Sequence, residues 1–324
     1  MLIDLRDNGG GSLNEAVDLT GLFIDKGPVV QQRNAGGEIS VEKDTHAGVD
    51  WDGPLAVLIN RGSASASEIF AAAIQDYGRG LIIGEPSFGK GTVQTMIDLD
   101  RLAKNDKPQF GELKMTVAQF FRIDGSTTQL RGVTPDIVLP SASASDPQKF
   151  GESSFENALP WSRIKPAEYS PAGEVRGIVP ILLAMHDARV RNDAGFRYLL
   201  EDIAESRRLR AKTVISLNEA ERRRELDAER ARLASRDSRK KVGADNAASD
   251  GTSAEGSGLG RRDDGLQAGE RSLATELALE KAQKNAKDVL LIEAIHILND
   301  AVAVRSDGAA VAARAKSRAT SMPN

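Results

Sequence analysis

Residues 55–84, LAVLINRGSASASEIFAAAIQDYGRGLIIG, contain the pattern that decides the fold. Within them, the apolar run Leu55–Ile59 is typical of a buried strand, the Ala-rich stretch Ala66–Tyr77 of a helix, and Leu81–Ile83 of a second buried strand. A strand, a helix and a strand in this order predict two parallel strands joined by a crossover helix. The sequence therefore predicts an α/β core.

The same alternation continues on both sides of this unit. Leu2–Leu5 predicts a strand before it, and Leu13–Ile24 predicts a helix. After it, Lys114–Arg122 and Ile137–Leu139 are rich in strand-forming residues. Strands and helices that alternate in this way predict a largely parallel central sheet. Residues 181–234 then have a helical pattern, which predicts a mainly helical extension.

The distribution of aromatic residues divides the chain, because all fourteen lie between Phe23 and Tyr198. The last 126 residues have none, and the seven glycines between residues 243 and 269 leave that segment without the bulk for a core. We predict an α/β core over residues 1–140, a mainly helical C-terminal extension over 141–242, a disordered linker over 243–269, and a terminal helix with a tail over 270–324.

Composition excludes several classes of protein. The 43 Lys and Arg residues against 47 Asp and Glu residues give a net charge of −4, which does not favour nucleic acid as a partner. With no cysteine and only three histidines, the chain lacks thiol nucleophiles, disulfides and thiolate metal sites. No run of about 18 apolar residues is present, so no segment is predicted to span a membrane. We therefore expect no metal, no nucleic acid and no membrane span, and no organic cofactor is implied.

Loops that leave the carboxyl ends of the predicted strands are where open α/β sheets place their sites. The first loop, residues 6–12, is rich in glycine, which leaves its backbone N–H groups free to bind an anion. The other interpretation is a tight strand-to-helix turn, which also requires glycine. The second contains Ser65, which has capping-box spacing to Glu68, and an ordinary helix cap is one interpretation. The other is a nucleophile whose developing charge faces the positive end of a helix dipole.

The third loop carries Lys90 and also has two interpretations. Gly84, Gly89 and Lys90 match most of a phosphate-binding loop, which would indicate nucleotide binding. However, Gly91 stands where that motif needs Ser or Thr to hold magnesium, and the residues after it favour a strand over a helix. The second interpretation pairs Lys90 with Ser65.

Simple geometry brings Lys90 and Ser65 together. A helix of about 12 residues advances about 18 Å away from Ser65, and the strand that follows returns about 16 Å. Both loops therefore lie at one edge of the sheet, with Gly9–Gly11 beside them if its strand adjoins. Because none of the three loops contains histidine, a Ser-His-Asp triad is disfavoured and a Ser-Lys arrangement remains.

Four blocks of the sequence carry a resemblance to a known family: DLRDNGGG at 4–11, SASASEI at 63–69, GEPSFGKGTVQ at 84–94 and GVTPDI at 132–137. In this order they resemble the protease domain of carboxyl-terminal-processing peptidases, also called tail-specific proteases. Residues 152–161, ESSFENALPW, and the helices after them resemble the C-terminal extension of the long periplasmic bacterial members. The resemblance covers most of the chain and is weakest over residues 243–269.

The resemblance implies a crotonase/ClpP-like α/β protease core and a serine endopeptidase that uses a Ser-Lys dyad. Ser65 then matches the nucleophile and Lys90 its general base, and Gln94 matches the position that orients the lysine. The N–H of Ala66 and one N–H from the turn at Gly10 and Gly11 would form the oxyanion hole.

The resemblance also implies partners and a compartment. It indicates a periplasmic enzyme that degrades or processes envelope proteins with apolar C-termini, with an envelope adaptor protein as a candidate partner. Family members carry a PDZ domain and further sequence before the first block, whereas this chain begins inside that block. We therefore expect an N-terminally truncated form with an incomplete first strand. The alternative is a catalytically inert fragment or scaffold of the same fold.

Overall fold

The computed structural model describes residues 1–141, 150–228, 231–232, 235 and 288–320, with the side chains of the last helix described through residue 306. The chain divides into two compact units, residues 1–207 with 290–324 and residues 208–289. The linker predicted over residues 243–269 lies outside the described residues. The predicted domain limits at residues 140, 242 and 269 stay predictions.

Strands and helices alternate in the first part of the described chain, and helices follow. The elements are β1 (Leu2–Asp4), α1 (Leu13–Gly21), β2 (Gly27–Asn34), β3 (Ile39–Asp44), β4 (Ala56–Ile59), α2 (Ala66–Asp76), β5 (Leu81–Gly84), β6 (Thr92–Asp98), α3 (Leu99–Ala103), β7 (Glu112–Phe121), β8 (Ile137–Val138), α4 (Val179–Val190), α5 (Ala194–Ala211) and a C-terminal helix (Val289–Thr320). This succession confirms the predicted fold class, an α/β core with a mainly helical C-terminal part.

The first sheet is parallel and has the strand order β1-β4-β5-β8. Its central strands β4 and β5 are buried along their whole length. One face of this pair packs against Phe70 and Ile74 of α2, and the other packs against Leu182 of α4 and against Ala294 and Ile297 of the C-terminal helix. Burial on both faces explains why the two strands are unbroken apolar runs in the sequence.

The second sheet is antiparallel, has the order β3-β2-β7-β6, and packs against a different face of α2. Ile69 and Ala73 of α2 belong to one buried cluster with Val29 of β2 and Phe120 of β7. Helix α2 therefore lies between the two sheets. The run Ala71–Ala73 keeps the helix narrow enough for both sheets to approach it.

Two expectations from the sequence need correction. The largely parallel arrangement holds for the first sheet alone, because the strand-forming stretch near Lys114–Arg122 belongs to the antiparallel second sheet. The hydrophobic pattern of the sequence also does not predict strands β2 and β3. Polar residues at Gln31–Arg33 and Glu42–Lys43 interrupt both strands, which are stabilised by pairing across the sheet rather than by an apolar run.

A buried polar cluster joins α4 to the C-terminal helix. His186 Nδ1 lies 2.8 Å from Glu293 Oε1, and Arg189 Nη2 donates to the same oxygen at 2.6 Å. Arg189 Nη1 also donates to Asp300 Oδ2 at 2.7 Å. Burial by itself raises the pKa of Glu293, but hydrogen bonds from His186 and Arg189 outweigh it, so the pKa lies below its ordinary value.

The C-terminal helix is 32 residues long. Even so, neither it nor any other helix in the described part of the chain has an apolar stretch long enough to cross a membrane.

Glu293→Gln should lower the free energy of unfolding at pH 7 by roughly 1.5–3 kcal/mol, because His186 and Arg189 lose a charged acceptor in a buried site. The lowered pKa of Glu293 means that its contribution is present above its unfolded pKa of about 4.3 and is lost as the pH falls through the folded value. Urea unfolding of both proteins between pH 7 and pH 3 should therefore show a difference that shrinks with acidity.

The matched control is Asp187→Asn, an exposed carboxylate of α4 beside His186. We expect this control to change the free energy of unfolding by less than about 0.5 kcal/mol. A pH-independent loss for Glu293→Gln, or an equal loss for the control, would contradict the stated role of the cluster.

Candidate active site

Ser65 lies in the turn between β4 and α2, immediately before the first residue of the helix. Its backbone angles, φ 58° and ψ −116°, are strained for any residue other than glycine. An ordinary capping serine has an extended backbone instead, so capping alone does not require this conformation. The sharp turn leaves the half-buried hydroxyl at the positive end of α2.

Lys90 reaches the same edge of the first sheet from the loop after β5. Its Nζ lies 3.5 Å from Ser65 Oγ, at the outer limit of a hydrogen bond, and donates to the carbonyl oxygen of Thr92 at 2.9 Å. The two loops meet because β4 and β5 are adjacent parallel strands whose carboxyl ends lie side by side. The proximity of Ser65 and Lys90 that the sequence predicts is present.

The surroundings of Lys90 lower its pKa below the ordinary value, mainly because burial disfavours the ammonium form. The carboxylate of Glu152 opposes this shift, Lys114 of β7 adds to it, and Glu68 opposes it more weakly. A lysine accepts a proton only when it is neutral. The net shift therefore moves Lys90 toward the form that can act as a base.

The glycine-rich loop after β1 packs directly against Ser65. Gly10 has φ 84°, and a Cβ atom placed on it would lie 2.6 Å from the nitrogen of Ala66 and 2.5 Å from the oxygen of Ala64. Only glycine fits such a close approach. Asn8 fixes the loop, since its Oδ1 accepts from the N–H of Gly10 at 2.9 Å and from Ser67 Oγ at 2.8 Å.

Backbone N–H groups beside Ser65 differ in what they bind. The N–H of Gly10 is committed to Asn8. Within the described residues, the N–H groups of Ala66 and Gly11 donate no hydrogen bond. Both residues line the same cleft. Of the two predicted glycine donors, Gly11 thus has the available N–H.

This cleft has a volume of about 210 Å³ and lies beside the start of α2. Leu5, Ala16, Leu19 and Phe70 give it an apolar lining. A larger cleft of about 390 Å³ lies at the other end of α2, around Asp76. The smaller cleft is lined by Ala66 and Ser67, the two residues that follow Ser65.

Gln94, which the family resemblance assigns to orienting the lysine, makes no hydrogen bond to Lys90 in the described part of the chain. The residue is exposed on β6, and the amine of Lys90 donates to the carbonyl oxygen of Thr92. The orienting role of Gln94 stays a prediction.

The nucleotide-binding alternative loses support from the geometry. The loop that contains Lys90 leads into strand β6, whereas a phosphate-binding loop leads into a helix.

Sequence reasoning missed the roles of two carboxylates near Ser65 and Lys90. Glu68 is buried and accepts hydrogen bonds from the loops of both Ser65 and Lys90, although its spacing to Ser65 indicates only a local helix cap. Glu152 lies on a segment that packs on the Lys90 loop through its N–H, which donates to Phe88 at 3.0 Å. No local pattern signals Glu152, because the segment lies far along the chain from the loop that it contacts.

Comparison with known families divides the chain into two matched regions. Residues 1–139 match the model described as peptidase family S41. Residues 145–303 match the model described as the C-terminal domain of tail specific protease.

Individual relatives agree with these models. The tail-specific protease of Haemophilus influenzae is 45% identical over 235 residues, which are 72% of this chain and 34% of that protein. The carboxy-terminal-processing protease of Bartonella bacilliformis is 42% identical over 139 residues, which are 43% of this chain and 30% of that protein. This chain thus spans about a third of the length of the curated relatives that it matches.

Among solved structures, the photosystem II D1 C-terminal processing protease is 36% identical over 43% of this chain and 34% of that chain, with a TM-score of 0.38. The two matched regions, peptidase family S41 and the tail-specific C-terminal domain, follow each other along almost the whole chain. The protein therefore belongs to peptidase family S41, a family of serine proteases, and carries the C-terminal domain of its tail-specific members.

Proposed function

We propose that this protein is a serine endopeptidase in which Ser65 is the nucleophile and Lys90 is its general base. The observation that carries the proposal is the 3.5 Å distance between Ser65 Oγ and the Nζ of a lysine whose pKa is lowered by burial. The position of Ser65 at the positive end of α2 supports it, because negative charge that develops there is stabilised.

The reaction follows from this arrangement. Neutral Lys90 takes the proton of Ser65 as Oγ attacks the scissile carbonyl carbon, and the resulting oxyanion accepts hydrogen bonds from the N–H groups of Ala66 and Gly11. The protonated lysine then gives its proton to the leaving amine, and an acyl ester remains on Ser65. Water attacks this ester with Lys90 again as the base, which releases the acid and restores the serine.

The substrates that we propose are envelope proteins with apolar C-termini, cleaved in the periplasm. The apolar lining of the 210 Å³ cleft beside Ser65 supports an apolar residue in the substrate. The Haemophilus relative, named a tail-specific protease, supports recognition through the C-terminus. An envelope adaptor protein is the partner that we propose, and Gln94 is the residue that we propose to orient the lysine.

Ser65→Ala should abolish acyl-enzyme formation, and Lys90→Ala should lower its rate by about 10²–10⁴-fold, because a serine hydroxyl without a base is a weak nucleophile. The full chain would be treated with a p-nitrophenyl ester, the acylated residue located by peptide mass spectrometry, and cleavage of an unfolded protein with an apolar tail followed by gel. Ser40→Ala, an exposed serine on β3, is the control and should react like the wild type.

Acylation of a residue other than Ser65 would refute the nucleophile assignment. A wild-type protein in which Ser65 stays unmodified at every pH would instead favour the inert scaffold.

Glu152→Gln should shift the pH profile of Ser65 acylation to lower pH. The carboxylate of Glu152 raises the pKa of Lys90, so its neutralisation lets the lysine lose its proton at lower pH. Gln129 Nε2 donates to Glu152 Oε1 at 3.0 Å, and a glutamine retains an oxygen that can accept this bond. Acylation rates between pH 5 and pH 10 measure the effect.

The matched control for this change is Glu156→Gln, an exposed carboxylate on the same segment. Its profile should overlie that of the wild type. A Glu152→Gln profile that is unmoved, or displaced to higher pH, would show that Glu152 does not act on the base.

A further inference from the structure

We propose that Glu68 is the positioning residue of the dyad, a single buried carboxylate that fixes the Ser65 turn and the Lys90 loop relative to each other. This inference rests on the proposed function of Ser65 and Lys90. Glu68 touches no reacting atom and acts through the backbone of both residues.

The contacts of Glu68 reach both loops at once. Its Oε2 accepts from the N–H of Ser65 at 2.8 Å and from the N–H of Lys90 at 2.9 Å. Its Oε1 accepts from Ser87 Oγ at 2.6 Å and from the N–H of Gly89 at 2.8 Å. One oxygen atom therefore holds the main chain of the nucleophile and the main chain of the base.

Helix capping does not account for this set of contacts. In a capping box the glutamate reaches back only to the N–H at the start of its own helix. Three of the four donors to Glu68 come instead from the loop after β5. Glu15 provides a comparison within the chain, since it has the same spacing to Ser12 at the start of α1 but is exposed.

The chemistry of the site requires a carboxylate. All four partners are donors, and an ionised carboxylate is the side chain that offers acceptors alone. The NH₂ group of a glutamine is itself a donor, and it would face at least one of these four donors without forming a hydrogen bond to it. Burial raises the pKa of Glu68 to about 7 despite the four hydrogen bonds, and the cationic side chains of Lys90 and Arg61 interact with its charge. The negative charge of Glu68 therefore lies in a buried site, where desolvation disfavours the ionised form.

The hydrogen bond from the N–H of Ser65 to Glu68 matters because the backbone of Ser65 is strained. A residue at φ 58° persists only where its surroundings fix it, and the Glu68 bond is made by the N–H of that residue. The same oxygen holds Lys90, so a displacement of Glu68 would change the distance between Oγ and Nζ. Misplacement of a catalytic group by about 1 Å lowers a rate by about 100-fold.

The test is Glu68→Gln in the full chain, with two measurements. Amide hydrogen exchange should become faster at Ser65 and at Gly89–Lys90, while the amides of β4 and β5 keep their protection. The rate constant for Ser65 acylation by a p-nitrophenyl ester should fall by about 100-fold, with thermal unfolding still cooperative.

The pH profile gives a readout that a purely structural role would not change. In the wild type, protonation of Glu68 adds to protonation of Lys90, so the decline of the acylation rate should become steeper below about pH 7. Glu68→Gln has no such group, and its profile should keep a single slope.

Asp100→Asn is the matched control. Asp100 also accepts backbone N–H bonds, from Gln109, Phe110 and Gly111, but at α3 in the connection between β6 and β7. This variant should speed exchange in residues 105–111 and leave Ser65 acylation unchanged. If Glu68→Gln does not fold, Glu68→Asp keeps the charge on a side chain too short to hold both loops, and the same increase in exchange is expected for at least one of them.

If amide exchange in Glu68→Gln is unchanged at either loop, the inference is wrong. It is also wrong if exchange becomes faster at both loops while the rate of Ser65 acylation stays the same. Absence of Ser65 acylation in the wild type would instead refute the proposed function, which is a different result. Faster exchange at both loops together with slower acylation and a single-slope profile would support it.

Discussion

The burial of α2 between the two sheets is the constraint on which the rest of the structure depends. Phe70 and Ile74 pack on the parallel sheet, and Ile69 and Ala73 pack in the cluster that includes the antiparallel sheet. A helix fixed on both sides cannot turn or slide without opening a core. Its first turn is therefore a rigid base for the residue that precedes it, and the strained conformation of Ser65 is held at that point.

Three loops meet at this point because their strands are parallel neighbours. β1 pairs with β4 and β4 pairs with β5, so the loops after them leave the sheet at one edge. Side chains then join them. Asn8 binds Gly10 and Ser67, which ties the first loop to the second, and Glu68 ties the second to the third. The site is thus assembled by polar contacts on a sheet that hydrophobic packing has already ordered.

Local patterns could predict the parallel sheet, α2 and the meeting of Ser65 with Lys90, since each depends on an apolar run or on the geometry of one crossover. They could not predict β2 and β3, whose polar residues are paired across a sheet that contains strands from distant parts of the chain. Local patterns could not predict the electrostatic environment of Lys90 either. Glu152 and Lys114 act on it from two other segments, and neither lies in a pattern around the lysine.

The sequence by itself determined the α/β class, the family, and the residue types at the three loops, because these follow from short-range periodicity and from motifs that are contiguous in the chain. Only the tertiary structure decided how those loops are held. Spacing to Ser65 marks Glu68 as a helix cap, and the fold makes it a buried acceptor for Lys90 as well. The physical reason is that a hydrogen bond between two loops depends on how sheet and helix pack, which no local pattern encodes.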